Sequence, residues 1–300
     1  MKNLVVILGP TGIGKTELSL SVAEYFHIPI INADSRQIYR GMPIGTAAPT
    51  SEQQQRVKHY MVEMLDMNEY YNASMYEEDV MRLLNKLFLE SDLALMTGGS
   101  MMYIDAVCYG MGDFPTVKDD LRNEMKRRFA EEGLDSLCKE LQQLDPEYYD
   151  IVDKHNYRRV IHALEIIHTT GTTFTSLRTG EKKKRDFNII KIGLNRNREV
   201  LYQRINQRVD SMIEAGLLEE ARTLYPNRHL NALNTVGYKE LFNYFDGTWS
   251  LDEAIERIKG NTRRYCRKQL TWFKRDDSIK WFDLDRENTK EIIKYISDLI

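Results

Sequence analysis

The sequence predicts an α/β protein: a parallel sheet that carries a phosphate-binding loop and is interrupted by an inserted all-helical domain. Three features support this. The first is Gly9-Pro10-Thr11-Gly12-Ile13-Gly14-Lys15-Thr16, a Gly-x-x-x-x-Gly-Lys-Thr loop between the apolar run Leu4 to Leu8 and the helical spacing of Leu18, Val22, Ala23 and Phe26. The second is two further short apolar runs, Ile28 to Ala33 and Leu93 to Met96, each ending in residues suited to the ligand-binding edge of a sheet. The third is residues 114–186, where helical periodicity continues without strand patterning until β-like spacing returns at Phe187 to Leu194.

A P-loop NTPase-like core is therefore expected over 1–113 and 187–300, with the helical domain over 114–186. Within the loop, Gly9 to Thr16, successive backbone N–H groups other than at Pro10 converge with a helix N-terminus on one point, where a diphosphate or nucleotide phosphate would sit. Lys15 adds a full charge and Thr16 offers a hydroxyl to a phosphate-bound Mg²⁺. The motif leaves open whether the phosphate is transferred, hydrolysed or simply released.

Asp34 follows the second strand at the same edge. It is placed to act as a base, and with Gln37 it also makes a capping-box pattern for a short helix, Ser35 to Tyr39; spacing does not choose between the two. Residues 41–60 read as a loop leading to a polar helix start at Ser51. Ser74 to Glu90 is amphipathic, with Val80, Leu83, Leu84, Leu87 and Phe88 on one side. The third strand runs into Thr97-Gly98-Gly99-Ser100, where Ser100 reads as an N-cap.

Helices are expected over Asp119 to Glu131, Leu134 to Leu144 and Pro146 to Thr169. The polar run Thr170 to Arg185, with Lys182-Lys183-Lys184-Arg185, reads as a solvated loop. In the helix Glu199 to Tyr225, Leu201, Ile205, Val209 and Met212 share a stripe with Arg208 close to its centre. An arginine so placed meets either a buried ion-pair partner or a ligand phosphate, and spacing alone favours the ion pair. The last long helix, Leu251 to Phe273, sets Ala254, Ile258, Cys266, Gln269 and Phe273 on one face. Opposite them lie Arg263, Arg264, Arg267 and Lys268, a stripe that suits a nucleic-acid backbone or a solvated surface. A strand at Trp281 to Leu284 and a helix from Thr289 to Ile300 close the chain.

The net charge of −3 over 300 residues gives no global sign of nucleic-acid binding, so such a function rests on local charge. Three scattered cysteines suit a reducing compartment and argue against a disulfide framework or a zinc site. No signal peptide or spanning run is evident, and a cytoplasmic protein without membrane association is expected.

Six co-linear motifs beyond the P-loop make the chain resemble the tRNA dimethylallyltransferases, in their bacterial form. They are Asp34-Ser35-Arg36-Gln37-Ile38-Tyr39, Gly41-Met42-Pro43-Ile44-Gly45-Thr46-Ala47, Gly98-Gly99-Ser100-Met101-Met102-Tyr103, Arg208-Val209-Asp210-Ser211-Met212, Val236-Gly237-Tyr238-Lys239-Glu240, and Thr262-Arg263-Arg264-Tyr265 with Gln269-Leu270-Thr271-Trp272-Phe273. The resemblance implies transfer of a dimethylallyl group from its diphosphate to the exocyclic amine of the adenosine 3′ to the anticodon. It implies Mg²⁺ as cofactor and, as catalytic residues, Asp34 as general base with Thr11 and Arg208 on the diphosphate. Asp34, Ser35, Arg36, Gln37, Ser100, Arg122, Arg158, Arg159 and His162 match positions that contact the tRNA anticodon stem-loop, and the basic stripe adds Arg264 and Lys268. His162 stands where the family often has arginine, and Gly12 where alanine is common, a change expected to be harmless in a loop. A monomer with no obligate protein partner is expected.

Two other classes use the same loop. A small-molecule kinase would bind ATP and a substrate hydroxyl near Asp34, and a non-catalytic RNA-binding NTPase would use the loop as a switch. An adenylate isopentenyltransferase, acting on free nucleotide, is the nearest alternative chemistry.

Overall fold

β1 (Asn3–Leu8) is buried at every position, as expected for an apolar run covered on both faces of a parallel sheet. Each such aliphatic side chain contributes about 1.5–3 kcal/mol on leaving water, so this strand anchors the core. The structure is a computed structural model and describes residues 1–111, 115, 117–178 and 182–300. From β1 the chain turns through the loop into α1 (Lys15–Phe26), then β2 (Ile30–Ala33), α2 (Pro43–Thr46), α3 (Ser51–Arg56), β3 (His59–Tyr60), α4 (Ala73–Leu87), β4 (Leu93–Gly98) and α5 (Met101–Tyr109). After the helical unit, α6 (Asp119–Glu132), α7 (Leu134–Leu144), α8 (Pro146–Ile151), α9 (Tyr157–Thr170) and α10 (Phe174–Leu177), come β5 (Asn188–Asn195), α11 (Arg198–Glu214), α12 (Leu217–Leu224), α13 (Tyr238–Phe245), α14 (Leu251–Phe273), β6 (Lys280–Asp283) and α15 (Thr289–Ser297).

The sheet is parallel, in the order β3-β2-β4-β1-β5-β6. Its register brings the site together. Leu8 pairs with Gly98, and Gly98 pairs with Ala33, so β1, β4 and β2 end level. The residues that follow, Gly9, Gly99 and Asp34, therefore leave the same edge side by side.

The chain divides into two units: Met1–Cys108 with Arg185–Ile300, and Tyr109–Lys184. In the second, Met125, Leu137, Leu141, Tyr148, Val160 and Leu164 are part of a separate apolar core. The expected start of the insert at Phe114 lies outside the described residues, as do positions 179–181 of the polar run.

Several expectations need correction. Ser35 to Tyr39 is a series of turns, with Tyr39 in an isolated bridge to Leu65, and forms no helix. Residues 41–60, read as a loop, hold α2 and β3 besides α3. The helix expected from Pro146 breaks after Ile151, where Asp153 accepts from the backbone N–H of His155 in a turn. The helix expected to run to Tyr225 breaks at Gly216, whose φ of 100° ends α11 and starts α12. Arg185, placed in a solvated loop, is half-buried: its guanidinium meets the Glu77 carboxylate at 2.8 Å and the carbonyls of Ala106 and Val107.

Candidate active site

The loop after β1 takes its shape from glycine backbone. Gly12 has φ +78°, and a Cβ there would stand 2.9 Å from Cγ1 of Ile205. A side chain at this position would crowd α11, and the glycine leaves that space free. Lys15 turns back on its own loop, its Nζ donating to the carbonyls of Gly9 at 3.0 Å and Pro10 at 2.9 Å. Burial, followed by the positive charge of Arg208, lowers its amine to about 8, with Asp34 opposing.

Gln269 braces the loop from α14. Its Oε1 accepts the Thr11 backbone N–H at 2.9 Å, and its Nε2 donates to the Gly99 carbonyl at 2.8 Å. It ties together two of the three segments that leave the sheet edge. Its signal was a glutamine on an otherwise apolar helix face; such a residue, almost fully buried, needs polar partners.

Asp34 holds a turn and caps no helix. Oδ1 accepts from the backbone N–H of Arg36 at 2.8 Å and of Gln37 at 3.3 Å, which fixes the turn. Oδ2 accepts no hydrogen bond from the described residues. Ser100 stands just before α5, but its hydroxyl does not cap the helix: it accepts the Ser35 N–H at 2.8 Å and donates to the Ser35 hydroxyl at 3.1 Å. Arg36 donates to the carbonyls of Asn231 at 2.8 Å and Ala232 at 3.2 Å. Gln37 donates from Nε2 to the carbonyls of Thr46 and Ala47 at 3.0 and 2.9 Å.

Arg208 has no carboxylate partner among the described residues, so the ion pair favoured by spacing is not formed. Desolvation holds its guanidinium below the usual range, with the Asp34 charge opposing. A cation desolvated in this way lacks an anion. The basic stripe of α14 also divides. Arg263 bonds Asn206 and Arg267 donates to the Tyr202 hydroxyl at 3.1 Å, both on α11, whereas Arg264 and Lys268 line a cavity with Asp34.

Two cavities meet here. One, of about 390 Å³, is lined by the loop from Thr11 to Thr16 together with Asn32, Thr97 and Gln269. The other, of about 580 Å³, is lined by Arg36, Gly45, Asn234, Asn261, Arg264 and Lys268. Thr11, Asp34, Thr46, Arg208 and Tyr265 line both. Tyr265, named in the sequence only as the end of a motif and given no role there, has its phenol pushed up to about 12 by desolvation and by the Asp34 charge. A phosphate cradle and a cation-rimmed cavity thus share one carboxylate and one unpaired guanidinium.

The family model described as IPP transferase matches residues 37–276. The chain belongs to the IPP transferase family. It is 58% identical over 295 residues to tRNA dimethylallyltransferase 1 of Bacteroides fragilis, covering 98% of this chain and 97% of that protein. It is also 58% identical to tRNA dimethylallyltransferase 2 of Parabacteroides distasonis over the full length of both. Among solved structures, the tRNA isopentenylpyrophosphate transferase of Bacillus halodurans matches with a TM-score of 0.73 at 36% identity, covering 99% of this chain and 96% of that one. A eukaryotic dimethylallyltransferase described as acting on tRNA matches with a TM-score of 0.85 at 25% identity, over 99% of this chain and 80% of that one.

The remaining tRNA candidates of this IPP transferase lie in the helical unit. Arg122 pairs with Asp119 at 3.2 Å, Arg158 donates to the Tyr157 hydroxyl at 3.2 Å, and His162 lies 3.7 Å from the Glu165 carboxylate. Arg159 is exposed on α9 without an ion-pair partner among the described residues. No described helix is long and apolar enough to cross a membrane.

The smaller cavity fits a hard cation carried in by a diphosphate. Among the described residues no three His, Cys, Asp or Glu side chains gather to hold a metal. The cavity instead presents the Thr16 hydroxyl, and the buried Oγ1 of Thr97 has no hydrogen-bond partner. Mg²⁺ commonly binds through one or two protein oxygens, several waters and the substrate's phosphates.

Proposed function

We propose that this protein transfers a dimethylallyl group from dimethylallyl diphosphate to the exocyclic amine of the adenosine 3′ to the anticodon of tRNA. The observation that carries the reading is that Asp34, Thr11 and Arg208 line both cavities. The diphosphate lies in the P-loop cavity on the backbone N–H groups of Gly12, Gly14, Lys15 and Thr16, with Lys15 leaving its loop carbonyls for the phosphate. The adenine leaves its stack and enters the larger cavity, as enzymes acting on a base generally require.

The allylic C–O bond breaks and its electrons leave with the diphosphate; the bond from the amine nitrogen to the allylic carbon forms, and the amine's proton passes to Oδ2 of Asp34. Lys15, Arg208, Thr11 and the loop N–H groups stabilise the charge that grows on the leaving oxygens, and the cleft places the nitrogen in line behind the carbon. Held on Thr16 and the diphosphate, Mg²⁺ would add positive charge at the leaving group. Arg36, Arg264 and Lys268 set a positive rim for the ribose-phosphate backbone, which a small-molecule kinase would not need.

The test is mass spectrometry of nucleosides from unmodified tRNA, and of AMP, after incubation with the protein, Mg²⁺ and dimethylallyl diphosphate. An adenosine heavier by one dimethylallyl group in the tRNA arm is expected. Modification of AMP alone would make the protein a free-nucleotide enzyme, and consumption of ATP without prenylation would make it a kinase or NTPase.

A further inference from the structure

The wall that Gly45 and Thr46 contribute to the acceptor cavity belongs to a loop held from outside by a carboxylate with no part in the chemistry above. Oε2 of Glu220, on α12, accepts the Ile44 N–H at 2.9 Å, and Oε1 accepts the Gly45 N–H at 2.8 Å. Oε1 also accepts from the Tyr238 hydroxyl at 2.7 Å. Tyr238 is fully buried, and a Cβ on Gly45 would fall 2.5 Å from its ring. Only glycine lets the loop lie this close to α13. On the loop's other side, Gln37 takes the Thr46 and Ala47 carbonyls, and its own backbone N–H reaches Asp34.

These bonds form one continuous path from α12 through residues 44–47 to the turn that holds Asp34. They occupy four backbone polar groups of the loop, two N–H and two C=O, so those groups meet a bound base as shape and not as hydrogen-bonding partners. The P-loop lies off this path, being braced by Gln269.

We propose that Glu220 is a positioning residue for the acceptor, which holds residues 43–47 against the Asp34 turn so that an entering base presents its amine to Oδ2. The proposal rests on the reading of the larger cavity as the acceptor site. The proton stays on Tyr238, whose phenol is pushed far up by burial and by Glu220, so the contact is phenol to carboxylate. Three bonds to one carboxylate are difficult to replace: a glutamine in its place turns an N–H toward a donor and loses at least one of them.

The experiment compares wild type with Glu220→Gln, Gly45→Ala and Tyr238→Phe. Hydrogen exchange at the 44–45 amides reads the brace directly. Pyrophosphate affinity with Mg²⁺, by calorimetry, reads the donor side, and steady-state prenylation of an anticodon stem-loop reads the acceptor side. We expect Glu220→Gln to speed exchange at 44–45 at least tenfold and lower kcat/KM for the stem-loop at least tenfold, with pyrophosphate Kd within twofold of wild type. Tyr238→Phe should move both readouts the same way by a smaller factor, and Gly45→Ala should do so by crowding Tyr238 and pushing the loop off the carboxylate. If Glu220→Gln does not fold, the other two variants decide. Equal losses for pyrophosphate and stem-loop, or a loosened loop with unchanged kcat/KM, would overturn the proposal. Failure of wild type to prenylate RNA while the exchange pattern holds would sink the functional reading instead.

Discussion

Cations in the cleft and cations in the helical unit are arranged in opposite ways. On α6, Arg127 reaches Glu124 at 2.8 Å and Glu131 at 2.7 Å, while Arg128 reaches Glu132 and Glu140, each at 2.7 Å. In the cleft, Lys15 and Arg208 are desolvated, and neither has a carboxylate partner among the described residues. Burial alone does not make the difference, since the side chain of Arg185 is also largely shielded from water and pairs with Glu77. The lesson is that a cation whose partner belongs to the fold is structural, whereas a desolvated cation without one has its partner in a ligand.

The sharpest way to break this comparison is at Asp34, the carboxylate whose charge acts on both cleft cations. Asparagine at position 34 can still accept the Arg36 and Gln37 N–H groups through Oδ1, so the turn survives, but it cannot take a proton. Asp34→Asn should keep RNA affinity within a few-fold and lower turnover about 100- to 10,000-fold. Single-turnover prenylation with anisotropy-measured binding checks this, and turnover near wild type would remove Asp34 as the base.

The next effect is a reversal of sign between the regions. Arg208→Met should weaken use of dimethylallyl diphosphate by roughly 2–4 kcal/mol in the transition state. It should leave the melting temperature of the ligand-free protein unchanged or raised, because a desolvated, unpaired charge is removed. Arg128→Met on α6 should do the reverse: no effect on donor use, and a loss of stability of at most about 1 kcal/mol, as for a partly exposed pair. A marked fall in melting temperature for Arg208→Met would return Arg208 to a structural role.

The two regions should also answer at opposite ends of the pH scale. Lys15 lies near 8 in the free protein, and a bound diphosphate raises it. Binding therefore takes up a proton above pH 8; through this group, affinity is constant below about 8 and falls as pH rises past it. In the helical unit, hydrogen bonds from Arg128 and Ser136 hold Glu132 at about 2, down from 4.5. Its stabilising effect is present above about 4.5 and is lost as pH falls toward 2. Calorimetry with pyrophosphate from pH 7 to 9.5 tests the first, with Lys15→Met subtracting the ligand's own proton. Melting of wild type and Glu132→Gln between pH 6 and 2 tests the second.

Regular patterns were legible in the sequence, and contacts between distant residues were not. α7 and α14 begin and end where their apolar periodicity does, and β1 needed only an unbroken run of aliphatic residues. β3 has two residues, too few to show a period. The break at Gly216 carried a local signal, a glycine inside a helical pattern, that periodicity alone overrode. Asp34 could be placed at the sheet edge from its strand, but the partner of Arg208 depended on what other segments bring near α11. Glu220 could not have been found, because its three partners come from positions 44, 45 and 238, and a glutamate on an amphipathic helix ordinarily faces water.

The smallest expected effect is also the most selective, because it separates residues that the sequence placed on one stripe. Arg264 and Lys268 line the acceptor cavity, whereas Arg263 and Arg267 spend donors on Asn206 and Tyr202. A phosphate contact releases condensed counterions, and each one lost should reduce the slope of log affinity against log salt by roughly 0.7–0.9. Arg264→Gln with Lys268→Gln should therefore weaken stem-loop binding, flatten the salt dependence and leave pyrophosphate affinity unchanged. Arg263→Gln with Arg267→Gln removes the same charge from the same helix, yet should keep the slope and instead loosen the packing of α14 on α11, seen as a lower melting temperature. Arg159→Gln on α9 should behave like the first pair, since Arg159 is exposed without an ion-pair partner among the described residues. Anisotropy across a salt series decides among them. Equal slopes in the two double variants would mean that RNA responds to the net charge of α14 and not to the two side chains that turn into the cleft.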